Sequence, residues 1–282
     1  MLLALSDLNG YRMEAAATTI GVIADCLFDD RTWKVRWLVV DAGSWLTGRR
    51  LLVHPSAVMQ TDHERCVVAV DLTIAQLANG PSVRMGSPIC RDVEERFFDY
   101  YGWDPYWGDS AFGANALAAP LGVASVLEER QPGSPHGAAN RQPDGDPHLR
   151  SIAEVSSYEI RAIDGTIGHL ETFLIDDENW TIRYLVVDTA NWWIGKHVLV
   201  APAAVTEFAW GQRFVRLNLT CYKIKGSPAW DDTGIVDRAY EQMLRLYYGW
   251  GALGDDRGHP AEAALVSPVA VSANASSTKE PV

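Results

Sequence analysis

Residues 37–45 read WLVVDAGSW, and residues 184–192 read YLVVDTANW. Each is an apolar run, solid enough for a strand covered on both faces, that stops at an aspartate (Asp41, Asp188) and reaches a tryptophan (Trp45, Trp192) four residues on. Working outward from this pair, a shift of 147 places aligns Ile20 to Trp103 with Ile167 to Trp250 without a gap, and 28 of the 84 positions are identical. Among them are Gly21/Gly168, Asp29-Asp30/Asp176-Asp177, Trp33/Trp180, Arg36/Arg183, Gly48/Gly195, Pro55/Pro202 and a closing Tyr-Tyr-Gly-Trp. A weaker match persists upstream, where Leu5, Leu8, Tyr11 and Met13 meet Ile152, Val155, Tyr158 and Ile160. Duplication of a whole domain accounts for this economically, because the period is too long for a solenoid.

The expected organisation is a first domain over 1–103, a flexible linker over 104–148, a second domain over 149–250 and a disordered tail over 251–282. The linker segment holds six prolines and polar clusters such as QPGSPHGAANRQPDGDP, and the tail ends VSANASSTKEPV; neither composition supplies a core.

Composition narrows the function classes. The 282 residues are 48% apolar, enough for a core in each domain. A net charge of -12 and an isoelectric point near 5.0 argue against nucleic acid as a direct ligand. The window Ala116 to Leu127 is too short for a membrane helix and contains Pro120, so no membrane span is expected. The opening MLLALSDLNG has no basic region ahead of its apolar residues, which argues against a secretory signal and makes the cytoplasm the expected location. Cys26, Cys66, Cys90 and Cys221 form no C-x-x-C pair and recur at no matched position. They read as reduced, mostly buried apolar residues, with no metal or cofactor implied.

Within each repeat, β-branched and aromatic runs predict strands over 19–28, 33–40 and 49–53, joined by Asx-rich loops as antiparallel hairpins. Gly48 and Gly195 fall where a tight turn needs a positive φ. Short helices are expected after the caps Thr73 and Thr220, ending at left-handed Asn79 and Gly226. A closing helix follows in each repeat, 90–101 and 237–248, stopped by Gly102 and Gly249. The expected fold is mainly β, two tandem small antiparallel β-barrels each with a closing α-helix.

The repeated pattern IG-x7-DD-x2-W-x2-R-x-LVVD-x3-W-x2-G-x3-LV-x-P, over 20–58 and 167–205, resembles the PRC-barrel family, named for the photosynthetic reaction-centre H subunit and found also in a ribosome-maturation factor. The resemblance implies a small barrel that binds other proteins and has no active site of its own. A narrower implication is a peripheral component of a photosynthetic reaction-centre complex.

Asp41 and Asp188 would need a matching His, Glu or Lys to act as catalytic acids, yet His54 aligns with Ala201, His197 with Arg50 and His169 with Val22. They read as turn-capping carboxylates, and Arg36 and Arg183 as rim residues bridged to a nearby aspartate. Trp45 and Leu46, with Trp192, Trp193 and Ile194, lie in short loops where they either plug a barrel mouth or form an interaction surface. The expected function is a non-catalytic protein-binding or assembly module with an unidentified protein partner or self-association. The second repeat, with its double tryptophan, is the better candidate for contact. The alternative is a small-ligand or enzyme site in the cleft between domains.

Overall fold

The computed structural model describes residues 2–43, 49–84, 89–106, 145–189, 196–231 and 236–250. Residues up to Ala252 belong to one compact unit, and the second unit, Leu253–Val282, lies outside the described residues. In chain order the first half forms β1 (Leu2–Ala4), β2 (Arg12–Ala15), β3 (Thr18–Asp29), β4 (Lys34–Asp41), β5 (Arg49–Val53), β6 (Val58–Asp62), β7 (Val67–Val70), α1 (Ile74–Asn79), β8 (Val83–Arg84) and α2 (Arg91–Tyr101). The second half forms β9 (Leu149–Ser151), α3 (Ile152–Val155), β10 (Glu159–Ala162), β11 (Gly165–Asp176), β12 (Thr181–Asp188), β13 (His197–Val200), β14 (Val205–Ala209), β15 (Phe214–Leu217), α4 (Cys221–Lys225), β16 (Ala229–Trp230) and α5 (Arg238–Tyr248). β1/β9, β3/β11, β4/β12 and α2/α5 have bounds that differ by the same 147 residues as the sequence repeat.

These strands join in one mixed sheet, whose hydrogen-bonded path runs β14-β15-β10-β11-β12-β4-β3-β2-β7-β6. The hairpins β3–β4 and β11–β12 are antiparallel. The pairs β2–β7 and β10–β15 are parallel, which corrects the all-antiparallel expectation. Alternation of residue type records which face is buried, but not the direction of the neighbouring strand. Among the described residues the sheet path does not close on itself. No helix among them is long and apolar enough to cross a membrane.

The opening stretch is buried on both faces because two clusters claim its alternate residues. Val35, Leu38 and Val40 of β4 enter the main core. Trp37 and Val39 point the other way, against Leu52, Phe97 and Phe98 of a second cluster beneath α2. The main core is shared by both halves: Phe28 and Phe173, each fully buried, meet at a ring-centroid distance of 5.0 Å. Burial of each ring contributes about 2 kcal/mol.

The halves also exchange strands. β1 pairs with β11 of the second half, and β9 pairs with β3 of the first. At the centre, Val35 N–H donates to Trp180 O and Ile182 N–H to Trp33 O, at 2.9 and 2.7 Å. Trp33 and Trp180 both take left-handed φ, 57° and 56°, so these symmetric bonds rest on a backbone shape that a bulky residue rarely adopts.

Thr73 forms a capping box with Gln76, Thr220 accepts from Lys223 N–H, and Asp237 from Tyr240 N–H. Gly102 and Gly249 stop α2 and α5 in the left-handed conformation. The expected left-handed ends at Asn79 and Gly226 do not occur: Asn79 stays helical and Gly226 has φ −77°. Tyrosines from the closing helices satisfy those helix ends, Tyr100 Oη donating to Gln76 O and Tyr247 Oη to Lys223 O. The cysteines are all free but only Cys26 is buried; Cys66, at a left-handed turn, is exposed.

Candidate functional site

The aspartates that end the repeated stretch sit at strand ends. Asp41 lies opposite Val22 on one side and Arg50 on the other, and its Oδ1 accepts from Gly43 N–H at 2.9 Å. Beneath it, Gly21 leaves room for the Asp41 carbonyl, as Gly168 does for Asp188. Asp188 Oδ2 lies 3.5 Å from His169 Nε2, whereas Val22 holds the matching place beside Asp41. Asp29 shapes its hairpin loop by accepting from Arg31 and Thr32 N–H, and Asp176 does the same for Glu178. Trp45, Leu46, Gly48, Trp192, Trp193, Ile194 and Gly195 lie outside the described residues.

The chemistry that does assemble is centred on Arg36 and Arg183. Arg36 is 4% exposed and pairs with three carboxylates: Asp29 at 3.1 Å, Asp146 at 2.7 Å and Glu94. Tyr106 covers the guanidinium, its ring 4.2 Å away. The two ends of the segment expected to be a linker therefore converge on one buried cation, while residues 107–144 lie outside the described residues. Burial pushes the Glu94 carboxyl up, against the opposing pull of Arg36 and a hydrogen bond from Trp37 Nε1. For Asp146, burial acts upward but the His148 N–H and Arg36 outweigh it, and the carboxyl is held below its ordinary range. His54 stands beside this cluster, packed on Trp37, Phe98 and Trp103, and burial with the Arg36 charge pushes it down to about 4.

The second half keeps part of this arrangement. Arg183, Glu241 and Tyr184 occupy the places of Arg36, Glu94 and Trp37, and Tyr184 Oη donates to Glu241 Oε1 at 3.1 Å. Burial, then the neighbouring Glu241, raises the Tyr184 phenol, which keeps it a donor. Phe98 is replaced by Arg245, so two guanidiniums flank one carboxylate, each at 4.0 Å. Glu94 and Glu241 were legible as an identical pair facing the identical arginines, a signal that inspection of the strands alone passes over.

The outer face of the closing helix differs more sharply between halves. The exposed positions of α2 include the charged Asp92, Glu95, Arg96 and Asp99, besides Arg91 and Tyr100. The matching positions of α5 are Ala239, Gln242, Met243 and Leu246, with Met243 45% and Leu246 77% exposed. Nearby in sequence, Tyr222 of α4 is 86% exposed where α1 has Ala75.

A cleft of about 140 Å³ lies on the seam, lined by residues of both halves including Leu5, Asp25, Cys26 and Ile152. Neither Asp41 nor Asp188 reaches it. Its carboxylate, Asp25, accepts from Cys26 N–H, Ala153 N–H and Ser151 Oγ, which ties the halves together. No protein-family model matches the chain, and no curated protein matches it.

Proposed function

We propose that the protein is a cytoplasmic, non-catalytic protein-binding or assembly module, built from two PRC-barrel-like halves and contacting its partner through the second half. The observation that carries this reading is the outer face of α5. Four positions that are charged and solvated in α2 are apolar or neutral in α5, so a helix of the same bounds is charged along these positions in one half and exposes Met243 and Leu246 in the other. Apolar side chains held in water gain most by meeting a complementary surface, and one face with a charged internal counterpart is a specific feature rather than a general one. Asp41, weighed as a catalytic acid, caps its own turn, and Asp29 and Asp25 hold a hairpin loop and the seam, which accords with a structural use.

Installing the first half's residues, Met243→Arg with Leu246→Asp, tests the reading. Affinity purification from the native cell should recover a partner with the unaltered protein. Recovery should fall tenfold or more with the double variant, because each anchor at an interface centre is worth about 1–2 kcal/mol. Equal recovery by a double variant with unchanged melting overturns it.

A further inference from the structure

Among the described residues, the second half does not close in its arginine as the first half does. In the first half, Arg36 is held by Asp29, Glu94 and Asp146, with Tyr106 over it. Among the described residues Arg183 pairs with the glutamate alone, and at 4.0 Å this is an ion pair without a hydrogen bond. The equivalent of Asp29, Asp176, is turned to its own loop, reaching Glu178 N–H and Asn179 Nδ2. Among the described residues no carboxylate stands where Asp146 stands beside Arg36. In place of the aromatic Phe98, which packs against Tyr106, the second half brings a second guanidinium, Arg245.

Among the described residues two positive charges thus share one negative charge, in a protein whose net charge is -12. The Nε–H groups of Arg183 and Arg245 are buried without a hydrogen-bond partner among the described residues, as is that of Arg36, so what sets the second half apart is its excess of guanidinium over carboxylate. Buried donors left unpaired cost stability, and a guanidinium fork matches a carboxylate in two parallel bonds. Both arginines remain 27% exposed, so a ligand can reach them.

We propose that Arg183 and Arg245 form a socket for a carboxylate carried by a polypeptide segment, docked as Asp146 and Tyr106 dock on Arg36. The first half supplies the precedent for the ligand's chemistry, an acidic residue with an aromatic neighbour, delivered by chain rather than by a free ion. Arg245 lies between Met243 and Leu246 in α5, so an acidic segment seated here would run beside the apolar face. The polypeptide identity of the ligand rests on the protein-binding reading; the carboxylate socket rests on the arginines.

The test uses the full chain with isotope-labelled arginine, following the Nε–H resonances of Arg183 and Arg245 during titration with the blocked tetrapeptide Tyr-Gly-Asp-Pro. Both resonances should shift and saturate, and the Asn version of the peptide should bind at least tenfold more weakly. Arg245→Phe, which installs the first half's own residue, and Arg183→Lys, which keeps the charge but loses the fork, should each weaken binding at least tenfold in a folded protein. The same shifts on concentrating the protein without peptide would assign the carboxylate to a second copy, and shifts only with peptide to a separate chain; both support the socket. Absence of saturable shifts, equal binding of the Asn peptide, or stronger binding of inorganic phosphate overturns it. Met243→Arg with Leu246→Asp leaves the arginine shifts intact, so failure of the apolar face and failure of the socket are read separately.

Discussion

At the scale of single residues, the two arginines show how one position acquires different uses in the two halves. Arg36 is buried among carboxylates and cannot be removed without leaving them unpaired in the core, whereas Arg183 is half-open. His54 records the same electrostatics through its own titration. Its folded pKa of about 4 lies below the ordinary histidine value of about 6.5, so the fold favours the neutral ring. Stability from this group is therefore present above the ordinary pKa and is lost as pH falls through the folded one. Between pH 7 and pH 4 the unaltered protein should lose on the order of 2 kcal/mol that His54→Asn does not, after allowance for partial exposure. Asparagine retains the cap that His54 Nδ1 provides to Ser56 N–H while removing the titration. Urea unfolding at the two pH values reads the difference, and parallel pH slopes would refute the assignment.

At the scale of elements, the glycine packed against the carbonyl of each strand-ending aspartate decides how closely the hairpin can pack. A Cβ built on Gly168 would strike the Asp188 carbonyl oxygen, and its φ of 151° already lies outside what other residues adopt readily. The adjacent strand cannot retreat without breaking its own ladder, so Gly168→Ala should cost about 2–4 kcal/mol in a denaturant titration. A loss below 1 kcal/mol would show that the hairpin gives way easily. The conserved spacing of glycine, Asp-Asp, arginine and aspartate made this hairpin legible in the sequence, as did the capping threonines and the glycines after the closing helices. The parallel pairings were not legible, since they depend on the chain's route rather than on residue alternation. Nor were the ends at Asn79 and Gly226, because tyrosines remote in sequence satisfy those carbonyls.

At the scale of the whole molecule, the duplication reads as two domains in sequence but packs around a shared core. Nothing in a strand's composition says whether its partner lies in its own repeat. β1 and β9 are equivalent, and each adds to the long strand of the opposite half. Around that exchange, Phe28 meets Phe173 and Phe208, and Trp33 packs on Phe208, so one half without the other would expose a large aromatic surface. The packing thus resembles a dimer whose subunits have been fused by residues 107–144, a tether that raises the effective concentration of one half for the other. Severing the tether should then leave the assembly intact. Fragments 1–106 and 145–282, produced together, should elute as one complex at micromolar concentration and melt in a single transition. Either fragment alone should self-associate or aggregate, and Phe173→Arg in the second fragment should abolish the complex. If each fragment instead elutes as a folded monomer, and mixing changes neither elution nor melting, the seam does not hold the molecule together and the halves are independent domains after all.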